Sequence, residues 1–246
     1  MIILLGLPKS GTSSFQSLFS KLNYKSYHWV KDKKYIGTMI KINKLLKKPL
    51  LSDFKKNDVI TQMDICINKK HCYWPQITDF KQIYNENQNA IFILNKRDPE
   101  KVLKSFKKWN NYLDRLFKYN PELIQDKTEK GFINFINQHN NKIEIFFKNK
   151  KKAKFISFDI ENDSLDKLKK YIDIKNIINL PKSNTFEEST LNKANTKSDK
   201  PIEDIESDKH VKDNESIKPV ELNESIKPIE DIESDKPVEN NESIKP

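Results

Sequence analysis

Four apolar residues, Ile2 to Leu5, run directly into a turn bounded by Gly6 and Gly11, and behind that turn Phe15, Leu18, Phe19 and Leu22 fall at i, i+3, i+4 and i+7. The order predicts a buried strand, a glycine-bearing turn and an amphipathic helix. A turn of this kind aims several backbone N–H groups and the positive end of a helix dipole at one spot, a ready site for phosphate or sulfate. The alternative is a turn that only joins strand to helix.

Further short apolar runs at Val59 to Met63, Ala90 to Leu94 and Lys154 to Phe158 alternate with helix-period stretches at 75–86, 99–118, 129–148 and 164–172. Such alternation predicts an α/β protein with a central parallel sheet covered by helices. Residues 31–58 carry no pattern that assigns them. The stretch at 99 has the best-marked start: Asp98 can cap the free amides, Pro99 suits the first helical position, and Glu100 complements the dipole. Val102, Leu103, Phe106, Trp109, Leu113 and Leu116 are its expected buried face, with Ser105 two turns beyond Asp98.

The pattern stops near Phe186. No aromatic residue follows it, and all four glycines precede it. Residues 187–246 hold 9 Lys against 17 Asp+Glu, or −8, which leaves +18 of the net +10 in residues 1–186. The string KPIEDIESDK at 200–209 returns at 227–236, and NESIKP begins at 214, 223 and 241. Isolated Ile and Val among Pro, Glu, Asp, Ser and Lys bury too little apolar surface to offset an ordering cost of about 1–2 kcal/mol per residue. Two segments are expected: a folded domain at 1–186 and a disordered acidic repeat tail at 187–246.

A basic body suits nucleic acid, anionic lipid or a small polyanion, but lysine is abundant throughout, so nucleic acid is not favoured. The apolar opening is far shorter than the roughly 20 residues of a spanning helix, and no later run reaches that length. Two cysteines cannot staple a secreted scaffold. Cys66 and Cys72 are expected as free thiols of a cytoplasmic protein. With His71 they are spaced C-x4-H-C, which is not a usual zinc pair, and no metal site is expected.

The Gly6 to Gly11 spacing matches the nucleoside-triphosphate loop GxxxxGK[ST], but Thr12 stands where that loop has lysine, and Lys9 sits inside the turn. The string Pro-Lys-Ser-Gly-Thr-Ser at 8–13 resembles instead the 5′-phosphosulfate loop of sulfotransferases that use PAPS (3′-phosphoadenosine 5′-phosphosulfate). After the strand at 90–94, Arg97, Pro99 and Ser105 resemble that family's 3′-phosphate motif of arginine, proline and serine at this spacing. GLPKSGTSS, the Tyr27-His28 pair, RDPE and the segment from Phe158 to Asn184 are similar to a divergent P-loop sulfotransferase subfamily.

The resemblance implies a three-layer P-loop-type fold with a central parallel sheet, and transfer of a sulfuryl group from PAPS to a hydroxyl or amine, without metal. It implies that Pro8, Lys9, Ser10, Gly11, Thr12 and Ser13 hold the 5′ end, that Lys9 stabilises charge on the bridging oxygen, and that Arg97 and Ser105 fix the 3′-phosphate. The family also uses a base near the first loop. Of three candidates, Asp64, His28 and His71, Asp64 at the end of the strand at 59–63 ranks first and His28 second. The acceptor is open between a glycan, a small molecule and a protein. Two other readings stand beside this one: a nucleotide kinase or NTPase with an altered loop, and a non-catalytic nucleotide-binding module.

Overall fold

A computed structural model describes residues 1–182 apart from Lys70 and Asn110. The expected disordered repeat tail and the end of the closing segment at Asn184 lie outside the described residues. In chain order the elements are β1 (Ile2–Leu4), α1 (Thr12–Lys21), β2 (Ser26–His28), β3 (Val30–Lys31), β4 (Lys34–Tyr35), α2 (Ile36–Leu45), β5 (Val59–Gln62), β6 (Ile65–Cys66), β7 (Cys72–Tyr73), α3 (Pro75–Thr78), α4 (Phe80–Glu86), β8 (Ile91–Lys96), α5 (Pro99–Lys107), α6 (Tyr112–Tyr119), α7 (Glu129–Lys148) and β9 (Lys154–Asp159). A 3₁₀ turn at Leu165–Lys167 follows.

The main sheet has the order β4-β3-β2-β5-β1-β8-β9. Its five strands from β2 to β9 are parallel, and β3 and β4 extend one edge antiparallel. This is the α/β fold the alternation predicted. β1 is apolar throughout because it is covered on both faces, as parallel strands are. Ile3 and Leu5 enter one core with Ile60, Phe92 and Leu94, under residues of α2, α4 and α7. Ile2 and Leu4 enter the opposite core with Val59, Ile93 and the α1 residues Phe15, Leu18 and Phe19. The period of two thus builds three layers.

After β1 the chain moves to one side of the sheet for β2 and β5, and then returns to the other side for β8. The carboxyl ends of β1 and β8 therefore flank a topological switch point, where ligands bind in open α/β sheets.

Several expectations change. The predicted helix at 99–118 is two helices, α5 and α6. Asn111 has φ 26°, and Trp109, expected in the buried face, is 46% exposed. The stretch 75–86 divides at Asp79, whose carboxylate accepts from Lys44, Tyr73 and Thr78. From 164 to 172 only the 3₁₀ turn forms, although Leu165, Leu168 and Ile172 are buried as the spacing required. Within 31–58 lie α2 and a hairpin between β3 and β4. Asp32 (φ 49°) and Lys33 (φ 62°) make its two-residue turn without glycine.

Cys66 and Cys72 are not free thiols. Direct pairing of Cys66 with Cys72 in the β6–β7 ribbon sets their sulfurs side by side in a disulfide, and Asn120 Nδ2 donates to Cys72 Sγ at 2.8 Å. The cysteines therefore give no support to a reducing compartment. Among the described residues no helix is long and apolar enough to cross a membrane. Replacing both cysteines by serine is expected to cost about 2 kcal/mol, the chain-entropy value for so short a loop. Differential scanning calorimetry should then show Tm lower by roughly 4–8 °C.

Candidate functional site

The turn between β1 and α1 is held from its rims. Ser10 N donates to Leu7 O at 3.3 Å, and Lys9 (φ 68°) and Gly11 (φ 84°) both adopt the left-handed conformation. Only glycine takes that backbone freely, and a Cβ on Gly11 would also press to 3.0 Å from the Ile160 side chain. Among the described residues no side chain caps α1, and its first turn carries no acidic residue. The amides of a first helical turn lack intrahelical acceptors, so this helix start presents donors and positive potential to the turn.

Asn95, at the end of β8 and fully buried, spans the turn: its Oδ1 accepts from Gly6 N at 3.0 Å and its Nδ2 donates to Ser10 O at 2.9 Å. A Cβ on Gly6 would fall 2.1 Å from Asn95 O, so glycine is required for this approach. Two residues on, Arg97 Nη1 donates to Lys9 O at 3.3 Å. Below, His139 Nε2 from α7 lies 2.8 Å from Leu5 O, fixing the end of β1.

The Lys9 ammonium lies 2.8 Å from the centroid of the Trp109 ring. Burial lowers its pKa to about 7, opposed by the charge of Asp64.

A second set of contacts ties the helix start to β2 and β5. Thr12 Oγ1 donates to Gln62 Oε1 at 3.0 Å, and Gln62 Nε2 donates to Asp64 Oδ2 at 3.2 Å. Since the single Thr12 hydroxyl proton is committed to Gln62, the 3.1 Å contact between His28 Nε2 and Thr12 Oγ1 has the ring nitrogen as donor. The tautomer is thereby set, with the lone pair of the neutral ring on Nδ1. Ser13 Oγ lies 3.4 Å from the same Nε2. Burial, with a smaller effect from the Lys9 charge, lowers the His28 pKa to about 4.

Asp64 lies at the expected sheet edge but is 1% exposed and accepts three hydrogen bonds, from Gln76 Nε2 (3.0 Å), Tyr112 OH (3.1 Å) and Gln62. Burial raises its pKa to about 6 against those three donors. His71 is in the β6–β7 turn, its Nδ1 3.3 Å from Thr38 Oγ1.

Beside the turn, Arg97 Nε faces Glu161 Oε1 at 3.5 Å, and Lys101 Nζ meets the same oxygen at 2.9 Å. Asp98 caps α5 as its sequence promised, accepting from Glu100 N and Lys101 N. Ser105 is half-buried on that helix, and among the described residues its hydroxyl makes no hydrogen bond to the turn or to Arg97.

Thr12, Ser13 and His28 therefore come together, Arg97 reaches Lys9, and Asp64 joins them through Gln62 and through its charge on Lys9. Sequence reasoning missed Asn95, Gln62, His139 and Trp109. A polar residue directly after the apolar run 91–94 was the available signal for Asn95.

Together these groups form a cationic cradle with a neutral imidazole at its edge. Residues 1–159 match a family model described as "Sulfotransferase domain". No curated protein matches the chain.

Proposed function

Because the chain belongs to the sulfotransferase family, we propose that its domain at 1–186 is a transferase moving a sulfuryl group from PAPS to a hydroxyl or amine of an acceptor. The observation that carries this reading is the cradle itself: an uncapped helix start behind a turn that contains Lys9 and is gripped by Arg97. Such a cradle suits an anionic group of a nucleotide. Pro8 to Ser13 would surround the 5′ end, with Ser13 adding a hydroxyl while that of Thr12 stays on Gln62, and Arg97 with Ser105 would take the 3′-phosphate. Bound there, the donor supplies an activated sulfuryl group. Lys9 meets negative charge building on the bridging oxygen, a preorganised electrostatic role.

His28 is the base we assign. A general base must hold an unprotonated lone pair at working pH, and its low pKa with Nε2 engaged on Thr12 leaves Nδ1 in that state. Asp64, ranked first from sequence, is assigned instead to holding Gln62, Gln76 and Tyr112 in place. His28→Gln should lower kcat by about 10²- to 10³-fold while changing PAP affinity far less. The acid limb of the wild-type rate profile should lie near pH 4 rather than at the usual histidine value.

Titration calorimetry with PAP, the desulfated donor product, in EDTA tests the reading. Metal-independent binding with an undetectable response to ATP and magnesium supports it. The reverse preference sinks it. Transfer of radiolabel from PAPS across an acceptor panel then identifies the acceptor class.

A further inference from the structure

Arg97 and Lys101 share one carboxylate. Glu161 Oε1 is 2.9 Å from Lys101 Nζ and 3.5 Å from Arg97 Nε, and that Nε is buried without a hydrogen-bond partner among the described residues. The 3.5 Å ion pair therefore leaves a directional donor of the guanidinium unused. A tetrahedral dianion, with more acceptor oxygens than one carboxylate, satisfies such a donor better.

Nor does the Glu161 side chain hold its own loop. The turn after β9 is built by Asp159 and Asp163: Asp159 Oδ1 accepts from Glu161 N, its Oδ2 accepts from Asn162 Nδ2, and Asp163 Oδ2 accepts from Asp159 N and Lys167 Nζ. Ile160 anchors it through Lys96 O and by packing on Gly11. The carboxylate is thus free to leave its cations without dismantling the loop. Lys101 comes within reach because Asp98 starts the helix, placing Lys101 in its first turn while Arg97 directly precedes the cap.

We propose that Glu161 is an intramolecular stand-in for the nucleotide's 3′-phosphate and that Lys101 is a further ligand of that phosphate. This rests on the assignment of Arg97 above. Donor binding is then an anion exchange: the 3′-phosphate takes Arg97 and Lys101, and Glu161 turns to solvent. A nucleotide phosphorylated only on its 5′ side has nothing to trade for the carboxylate, so the Arg97–Glu161–Lys101 triad discriminates for the 3′-phosphate. In this account Glu161 lowers affinity for every ligand that must displace it and leaves the others alone.

Calorimetry on the full chain with two probes, PAP and AMP, separates the outcomes. Glu161→Gln should bind PAP about 5-fold more tightly, and Lys101→Gln about 5-fold more weakly, the scale of one partly exposed charge pair. AMP binding should be unchanged in both. Equal shifts for PAP and AMP, or a Glu161→Gln variant with unaltered or weaker PAP affinity, overturn the exchange while leaving the PAP reading intact. Failure of the wild-type chain to bind PAP removes that reading, and the exchange with it. Thermal melts of both variants are expected within about 2 °C of wild type, since exposed pairs contribute little to stability.

Discussion

Lys9→Ala should reduce sulfuryl transfer by about 10²- to 10³-fold, the loss typical of removing one preorganised donor from the charge that develops in a transition state. The fold should survive. The Lys9 backbone has φ 68°, a strain that alanine shares with any other L-residue, so stability changes little while the cation disappears.

A second signature belongs to Lys9 alone. Burial lowers its pKa to about 7, and an anion in the turn favours the charged form and raises that value again. Well below pH 7 the ammonium is already charged and itself takes up no proton on binding. Above pH 7 the site must collect one, so PAP affinity falls, by up to about tenfold per pH unit, until the pKa of the bound state is passed. Calorimetry above pH 7 in buffers of different ionisation enthalpy should report proton uptake by wild type and its absence in Lys9→Ala. An identical pH dependence in the two proteins would remove Lys9 from the anion site.

The same lysine marks how far sequence reading reaches. Lys9 and Arg97 stood out because each lies at a fixed step from a turn or strand end, and strand ends of a parallel sheet converge at one edge. α5 was legible down to its cap, since Asp98, Pro99 and Glu100 act locally. Its end was not: Leu113 and Leu116 keep the helical period across a break that tertiary contact makes, where Trp109 turns to the Lys9 ammonium. The hairpin at Asp32-Lys33 lacked the glycine that usually announces such a turn. The disulfide depended on the register of a two-stranded ribbon, which spacing alone does not define. Gln62 was hidden for a similar reason. An amide in a strand reads as one polar position, and its role as relay between Thr12 and Asp64 arises from three segments meeting.

Asn95 supports the most discriminating substitution, because Asp and Asn have one shape and opposite capacities. Asn95→Asp still offers an oxygen to Gly6 N, but it has no N–H for Ser10 O and puts a carboxylate into a fully buried position beside the anion cradle. Leaving a buried carbonyl without its donor costs about 1–3 kcal/mol, and a buried charge adds to that or is neutralised by taking up a proton. A negative side chain here also opposes the very charge the cradle attracts. Asn95→Asp is therefore expected to abolish PAP binding, by more than about 100-fold at pH 8, and to lower Tm by several degrees. Lowering the pH should recover part of the affinity, because a protonated carboxyl both loses its charge and regains a donor for Ser10 O. Asn95→Ala, which removes both hydrogen bonds but adds no charge, should destabilise as much yet bind PAP better than Asn95→Asp at pH 8. If the two variants bound PAP equally at pH 8, Asn95 would be a support for the fold and not a determinant of the potential in the turn.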